Sequence, residues 1–227
     1  MSLILQIETS TSSCSVALSE NGTVLAVKEL NERNIHASLT TVFVDEVMKD
    51  ANKPFSSLTA VAVSMGPGSY TGLRIGVSVA KGICYALDIP LISISTLKAM
   101  AFKMRQIKGG KDLLYCPMID ARRMEVYTGV FDFDGNEVLP VEAKIIDSSS
   151  FAEWLEEKKM IFFGDGASKC QPVLAVHQNA FFEDQFTNSA ADLSMLAFEK
   201  YKLSQFEDVA YFEPYYLKDF IVGKKVS

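Results

Sequence analysis

The order of predicted strands and helices runs twice along this chain of 227 residues. Apolar runs and turn residues predict strands over 3–8, 13–19 and 23–30, a helix over 36–51, a strand over 60–64, and a glycine turn that opens a second helix. The second half repeats the order with strands over 113–120, 125–131 and 138–146, a helix over 151–158, a strand over 160–163, and a glycine turn at 164–166. In each half the first strand ends in an acid, Glu8 or Asp120.

A repeated α/β order predicts two lobes with mixed sheets that face a cleft. We place the first lobe at residues 1–108 and a reduced second lobe at residues 109–227, with no linker long enough to separate them. A further helix is expected over about 190–201, and the aromatic segment 211–216 is expected to be extended and to pack back on the body.

The composition is that of an ordinary globular protein, 48% hydrophobic and 22% charged. The net charge of -6 argues against strong nucleic-acid binding by this chain alone. The N-terminus lacks the features of a signal peptide, and no segment has the run of about 18 apolar residues that a membrane span needs. Four scattered cysteines, Cys14, Cys84, Cys116 and Cys170, are typical of reduced thiols. We therefore expect a cytoplasmic protein with no membrane partner.

A glycine-rich turn and the helix after it form the most specific motif of the chain, Gly66-Pro67-Gly68-Ser69-Tyr70-Thr71-Gly72-Leu73-Arg74-Ile75-Gly76. Free backbone N–H groups at such a turn can hold an anion. It is not the phosphate loop of the NTPases, because Leu73 stands where that motif needs lysine. Small residues recur every four positions along the helix, at Gly72, Gly76, Ala80 and Cys84. Because an interior glycine costs about 1 kcal/mol, the ridge indicates close approach of another backbone. That backbone belongs either to the same domain or to another subunit.

The helix predicted over 36–51 carries apolar residues around more than one face. It is either completely buried within the body or pairs with the glycine-ridge helix to form a two-helix patch for a partner. For the second case the expected partner contacts are His36, Leu39, Thr40, Phe43, Val47, Gly72, Leu73, Gly76, Val77 and Ala80. A bulky residue at Gly76 or Ala80 is then expected to abolish pairing while the chain stays folded.

The turn after the first strand, Glu8-Thr9-Ser10-Thr11, resembles the phosphate loop of the actin/hexokinase/heat-shock ATPase-like (ASKHA) superfamily. Glutamate replaces the usual aspartate and Ser10 replaces glycine, so we regard it as a degenerate phosphate loop. Only two histidines, His36 and His177, are present, and they supply no metal-ligand set or catalytic triad. We expect no catalytic residue, metal or cofactor. The alternative is a small ATP-dependent phosphotransferase that uses Glu8, Asp120 and the glycine turns.

Three motifs together resemble the TsaB (YeaZ) family: the 4–11 strand and turn, the 66–76 loop and helix, and Ile119-Asp120-Ala121-Arg122 with Glu125-Val126-Tyr127. The resemblance implies a two-lobed ASKHA fold and a non-catalytic subunit of the bacterial system that makes threonylcarbamoyladenosine in tRNA. It also implies pairing through helices with a catalytic paralogue, TsaD, on which an ATPase, TsaE, docks. The tRNA would be met only through that complex, and the chain alone could form a homodimer.

Overall fold

Two five-stranded mixed sheets form the framework of the chain. The structure is a computed structural model that describes residues 2–32 and 34–218. The first sheet has the order β3-β2-β1-β4-β5 and consists of β1 (Leu3–Glu8), β2 (Ser13–Glu20), β3 (Thr23–Asn31), β4 (Ala60–Gly66) and β5 (Leu91–Ser95). The second has the order β10-β9-β6-β7-β8 and consists of β6 (Leu113–Asp120), β7 (Glu125–Phe131), β8 (Glu137–Ile145), β9 (Lys159–Phe163) and β10 (Ala180–Glu183).

The two sheets have the same topology, which confirms the predicted duplication. In each, the first strand pairs antiparallel with the second and parallel with the fourth. The helices are α1 (His36–Asp50), α2 (Tyr70–Leu87), α3 (Thr96–Lys108), α4 (Ala152–Glu157), α5 (Ala167–Leu174) and α6 (Ser194–Lys202). The counterparts of α1 and α2, which have 15 and 18 residues, are α4 and α5, with 6 and 8. The fold is therefore a two-lobed ASKHA fold with a reduced second lobe.

Alternating side chains of the first sheet pack on helices at both of its faces. On one face Leu5 and Ile7 join a core with Val47 of α1 and Val77 of α2. On the other, Ile4 joins a core with Ala99 of α3 and residues of α6. Helix α3 also buries Met100 and Met104 against Tyr115 and Phe131 of the second sheet. Because α3 contacts both sheets, it fixes the two lobes against each other.

The segment that follows β10 returns to the first sheet. A 3-10 turn over Ala190–Leu193 and then α6 pack on that sheet, so the predicted single helix over 190–201 is divided in two. The expected 108/109 division separates the two sheets, but this later segment lies with the first. The short strand β10 was missed because only four residues pair, at the edge of the sheet. Among the residues described, no helix has the length and apolarity that a bilayer crossing requires.

Candidate functional site

The turn after β1 is buried and bonded to itself. Glu8, Thr9, Ser10 and Thr11 each have less than a tenth of their surface exposed. The Glu8 carboxylate accepts hydrogen bonds from the Ser10 backbone N–H at 2.6 Å and from the Ser10 hydroxyl at 2.5 Å. Burial raises the pKa of Glu8, and the bonds from Ser10 act in the opposite direction. The Ser10 N–H is thus already used by Glu8 and is not available to an anion.

Helix α2 lies directly against this turn. A Cβ at Gly72 would fall 2.1 Å from the Thr9 carbonyl oxygen, and one at Gly76 would fall 2.3 Å from the Thr9 Oγ1. The Ser69 N–H donates to the Ser10 carbonyl oxygen at 2.7 Å. The small-residue ridge therefore serves close packing within the chain, the first of the two alternatives given above.

The segment before α6 is bonded to the start of β2, directly after the Glu8–Thr11 turn. The Ser13 hydroxyl donates to the Asn188 carbonyl oxygen at 2.8 Å, and the Ala190 N–H donates to Ser15 Oγ at 2.9 Å. The strand that follows the turn is therefore held by this chain's own backbone.

The second lobe repeats the same arrangement. A Cβ at Gly164 would fall 2.5 Å from the Met118 carbonyl oxygen, so this glycine turn is seated on the end of β6. The Asp165 carboxylate accepts from the Asp120 N–H at 2.9 Å, and the Asp120 carboxylate pairs with Lys169. Both acids hold the turn in place.

Other reactive groups are also engaged in packing. His36 Nε2 lies 3.3 Å from the Ser13 carbonyl oxygen, and Thr40 donates to the His36 carbonyl oxygen at 2.6 Å. The four cysteines are buried and unpaired, and burial raises the pKa of Cys116 to about 12. In residues 2–32 and 34–218, no group of three or more His, Cys, Asp or Glu side chains could hold a metal ion.

Most of the predicted partner contacts lie inside the fold. Buried are His36, Thr40, Val47, Gly72, Leu73, Gly76, Val77 and Ala80. Their burial corrects the expectation that a bulky residue at Gly76 or Ala80 would spare folding, since such a residue would displace the chain's own core. Leu39 and Phe43 are half-buried and keep surface for a partner.

The outward face of the α1–α2 pair combines two of the predicted contacts, Leu39 and Phe43, with residues that the sequence did not single out. We define this face as Leu39, Val42 and Phe43 of α1 with Ile75, Ser78, Val79 and Gly82 of α2. Val42 is 44% exposed, and a Cβ at Gly82 would meet nothing within 4 Å. No described residue comes close enough to require glycine at position 82, although glycine there costs about 1 kcal/mol of helix propensity. A helical glycine at a position outside the ridge was the sequence feature that could have indicated the outward face.

The segment 207–218 covers the neighbouring, polar side of α2 and is called the strap below. Lys81 Nζ donates to the carbonyl oxygens of Ala210 and Phe212, both at 3.1 Å. The Tyr215 N–H donates to the Met65 carbonyl oxygen at 2.7 Å, and Arg74 Nε donates to the Tyr216 hydroxyl at 3.2 Å. The expectation that this segment is extended and packs back is confirmed, and the strap leaves the outward face uncovered.

Fold and site together define an ASKHA-class protein whose phosphate loop is sealed by its own chain. The family model for TsaD, tRNA N6-adenosine threonylcarbamoyltransferase, matches residues 27–217. The TsaB proteins, described as tRNA threonylcarbamoyladenosine biosynthesis proteins, are similar over long stretches. The one from Bacillus subtilis (strain 168) is 32% identical over 73% of this chain and 72% of its own length. The one from Escherichia coli (strain K12) is 29% identical over 98% and 97%. The structure of YeaZ from Pseudomonas aeruginosa superimposes with a TM-score of 0.78, at 25% identity, over 96% of this chain and 100% of that one. The chain belongs to the TsaB family.

Replacement of Glu8 by glutamine is expected to raise stability at neutral pH. Because the folded-state pKa of Glu8 is raised, its contribution is complete below the unfolded carboxyl pKa and is lost as pH rises through the folded pKa. The glutamine side chain of Glu8→Gln can still accept the hydrogen bonds from Ser10, and it places no negative charge in the interior. Urea unfolding should show a more stable variant at neutral pH and a difference that shrinks in acid. The exposed Glu157→Gln is the control; a Glu8→Gln variant less stable than wild type at neutral pH would contradict this account.

Proposed function

We propose that this chain is the non-catalytic subunit of a tRNA threonylcarbamoyladenosine system and activates a TsaD paralogue by pairing with it. The modified base would be the adenosine beside the anticodon of tRNAs that read codons beginning with A. Membership of the TsaB family and the match to the TsaD family model support this assignment. TsaE would dock on the pair, tRNA would be bound by the complex, and the setting would be the cytoplasm.

The observation that carries the proposal is the contrast between the sealed turn and the uncovered helix pair. The Glu8–Thr11 turn is buried, and Asp120 and Asp165 hold a second turn. The side chains that a phosphotransferase would use are therefore buried or bonded within this chain. The outward face, by contrast, exposes Val42, Ser78 and Gly82, and the half-buried Phe43 and Val79 beside them pack only partly on the core.

Homology to TsaD also gives the pairing a geometry. A paralogue with the same duplicated fold has a helix pair at the equivalent position, and related surfaces can associate about a pseudo-twofold axis. Small side chains at Ser78 and Gly82 would allow the α2 helices to approach closely. The same face could pair two copies of this chain when the paralogue is absent.

Reconstitution tests this function. The purified chain and the TsaD paralogue of its host are combined with TsaE, threonylcarbamoyl-adenylate and an unmodified tRNA, and threonylcarbamoyladenosine is measured by mass spectrometry. We expect product only when both paralogues are present, and no heat of binding when ATP and magnesium are titrated into this chain alone. Product formed at the full rate without this chain, or micromolar ATP binding with hydrolysis by it alone, would contradict the proposal.

A further inference from the structure

Cationic and aromatic side chains gather where the strap passes from the first lobe to the second. The Arg74 guanidinium lies 4.2 Å from the centre of the Tyr70 ring, and the Tyr70 and Tyr216 ring centres are 4.9 Å apart. Two residues further along the strap, Lys218 pairs with Glu125 of β7. Arg74 is held in place by ring contacts and a hydroxyl, so its charge faces solvent already oriented.

The turn between β6 and β7 adds two exposed arginines to this region. Burial raises the pKa of Tyr127, and the Glu125 carboxylate acts in the same direction, whereas the charges of Lys218 and Arg122 lower it. Arg122 and Arg123 have φ values of 74° and 50°, in the left-handed region that non-glycine residues rarely adopt. The tight turn of the β6–β7 hairpin explains this conformation, and it leaves both arginine side chains exposed.

The guanidinium groups of Arg74, Arg122 and Arg123 form no ion pair with an acid in the described part of the chain. Lys169 and Lys218, by contrast, are paired with Asp120 and Glu125. The carboxylates of Glu125 and Asp120 at this place are taken up by the two lysines, and Glu213 acts on Arg74 only at longer range, so the three guanidinium groups remain available. Arginine presents a planar fork that suits phosphate, and tyrosine rings stack on bases.

We propose that Arg74, Arg122, Arg123, Tyr70 and Tyr216, here called the basic patch, contact the sugar-phosphate backbone of the RNA substrate. The proposal rests on the proposed function, which supplies a tRNA as substrate. Arg74 lies on the strap side of α2, one helical turn from Ser78 of the outward face, so an RNA bound there would run along the edge of the paired surface. The overall negative charge keeps binding by the chain alone weak, and the patch contributes within the complex.

The test measures binding of a fluorescent unmodified tRNA to the complex of this chain with its TsaD paralogue, over a series of salt concentrations. Arg74→Gln and the double variant Arg122→Gln/Arg123→Gln are each expected to weaken binding about 5-fold or more at low salt. The slope of log K against log salt should fall by about one for each arginine lost. The matched control is Lys158→Gln/Lys159→Gln, which removes two adjacent exposed cations elsewhere; it should change neither quantity.

Calorimetry of pairing with the paralogue separates this proposal from the proposed function. Patch variants that pair normally but bind tRNA weakly, with a lower salt slope, support the RNA contact. Unchanged tRNA binding overturns it, and so does loss of pairing, which would make the patch a protein interface. If the wild-type chain fails to pair at all, the proposed function fails, and the same variants are compared on the chain alone at low salt.

Arg123→Gly relaxes the backbone and should keep or raise the Tm while tRNA binding falls; weaker folding together with unchanged binding would indicate a structural turn only.

Discussion

Replacing Gly72 with alanine is expected to lower the free energy of unfolding by about 3 kcal/mol, because the new Cβ would lie 2.1 Å from the Thr9 carbonyl oxygen. Backbone on both sides of the contact cannot move without displacing α2 from β1. For a chain of this size the corresponding fall in Tm is roughly 6–12 °C. Thermal unfolding followed by circular dichroism measures it.

Gly82→Ala is the matched control for that variant, in the same helix and with the same atom added. A Cβ at Gly82 meets nothing within 4 Å, so alanine should raise the free energy of unfolding by about 0.5–1 kcal/mol through helix propensity. Opposite signs at the two positions would show that one side of α2 is fitted to the turn and the other is not. If both variants were stabilised, the close packing of α2 on the Thr9–Ser10 backbone would be wrong.

Replacing Gly82 with tryptophan is expected to weaken pairing with the TsaD paralogue about 100-fold or more and to leave this chain folded. The side chain would project from the outward face, where the fold places nothing in its way, and would prevent close approach of a partner helix. A loss of this size corresponds to about 2.7 kcal/mol of binding free energy. Isothermal titration calorimetry gives the affinity, and the Tm of the isolated variant reports its folding.

Gln106→Trp on α3 controls for the effect of an added surface tryptophan, since Gln106 is exposed on a helix away from the outward face. It should pair with wild-type affinity. Unchanged affinity of Gly82→Trp would exclude the outward face as the contact surface.

The framework of this fold could be predicted because its signals are local. The strands β1, β6 and β7 were predicted to the residue, since each is an apolar run bounded by turn residues or an acid. Ser95 is a local signal of the same kind, a serine directly before a helix, and its hydroxyl accepts from the Lys98 N–H as the cap of α3. Repetition of the element order was enough to predict the duplicated topology, because the same order of strands and helices forms the same sheet in each lobe.

Which side of α2 packs on the chain itself and which side faces outward could not be predicted in the same way. Periodicity shows that Gly72 and Gly76 share a ridge but not what covers it, because the covering residue, Thr9, is more than sixty positions away in sequence. For that reason the sequence left two alternatives for the inward ridge, this domain or a partner, although Gly82 on the outward side is the glycine that the fold leaves unexplained. The strap lies even further along the chain from the helix it covers.

Amide hydrogen exchange, followed by mass spectrometry with and without the TsaD paralogue, tests the central claim most directly. The account predicts slower exchange on complex formation within α1 (His36–Asp50) and α2 (Tyr70–Leu87), and unchanged exchange in the already buried β1 (Leu3–Glu8). Slower exchange confined to the second lobe, or none in either helix while the complex is demonstrably formed, would contradict it.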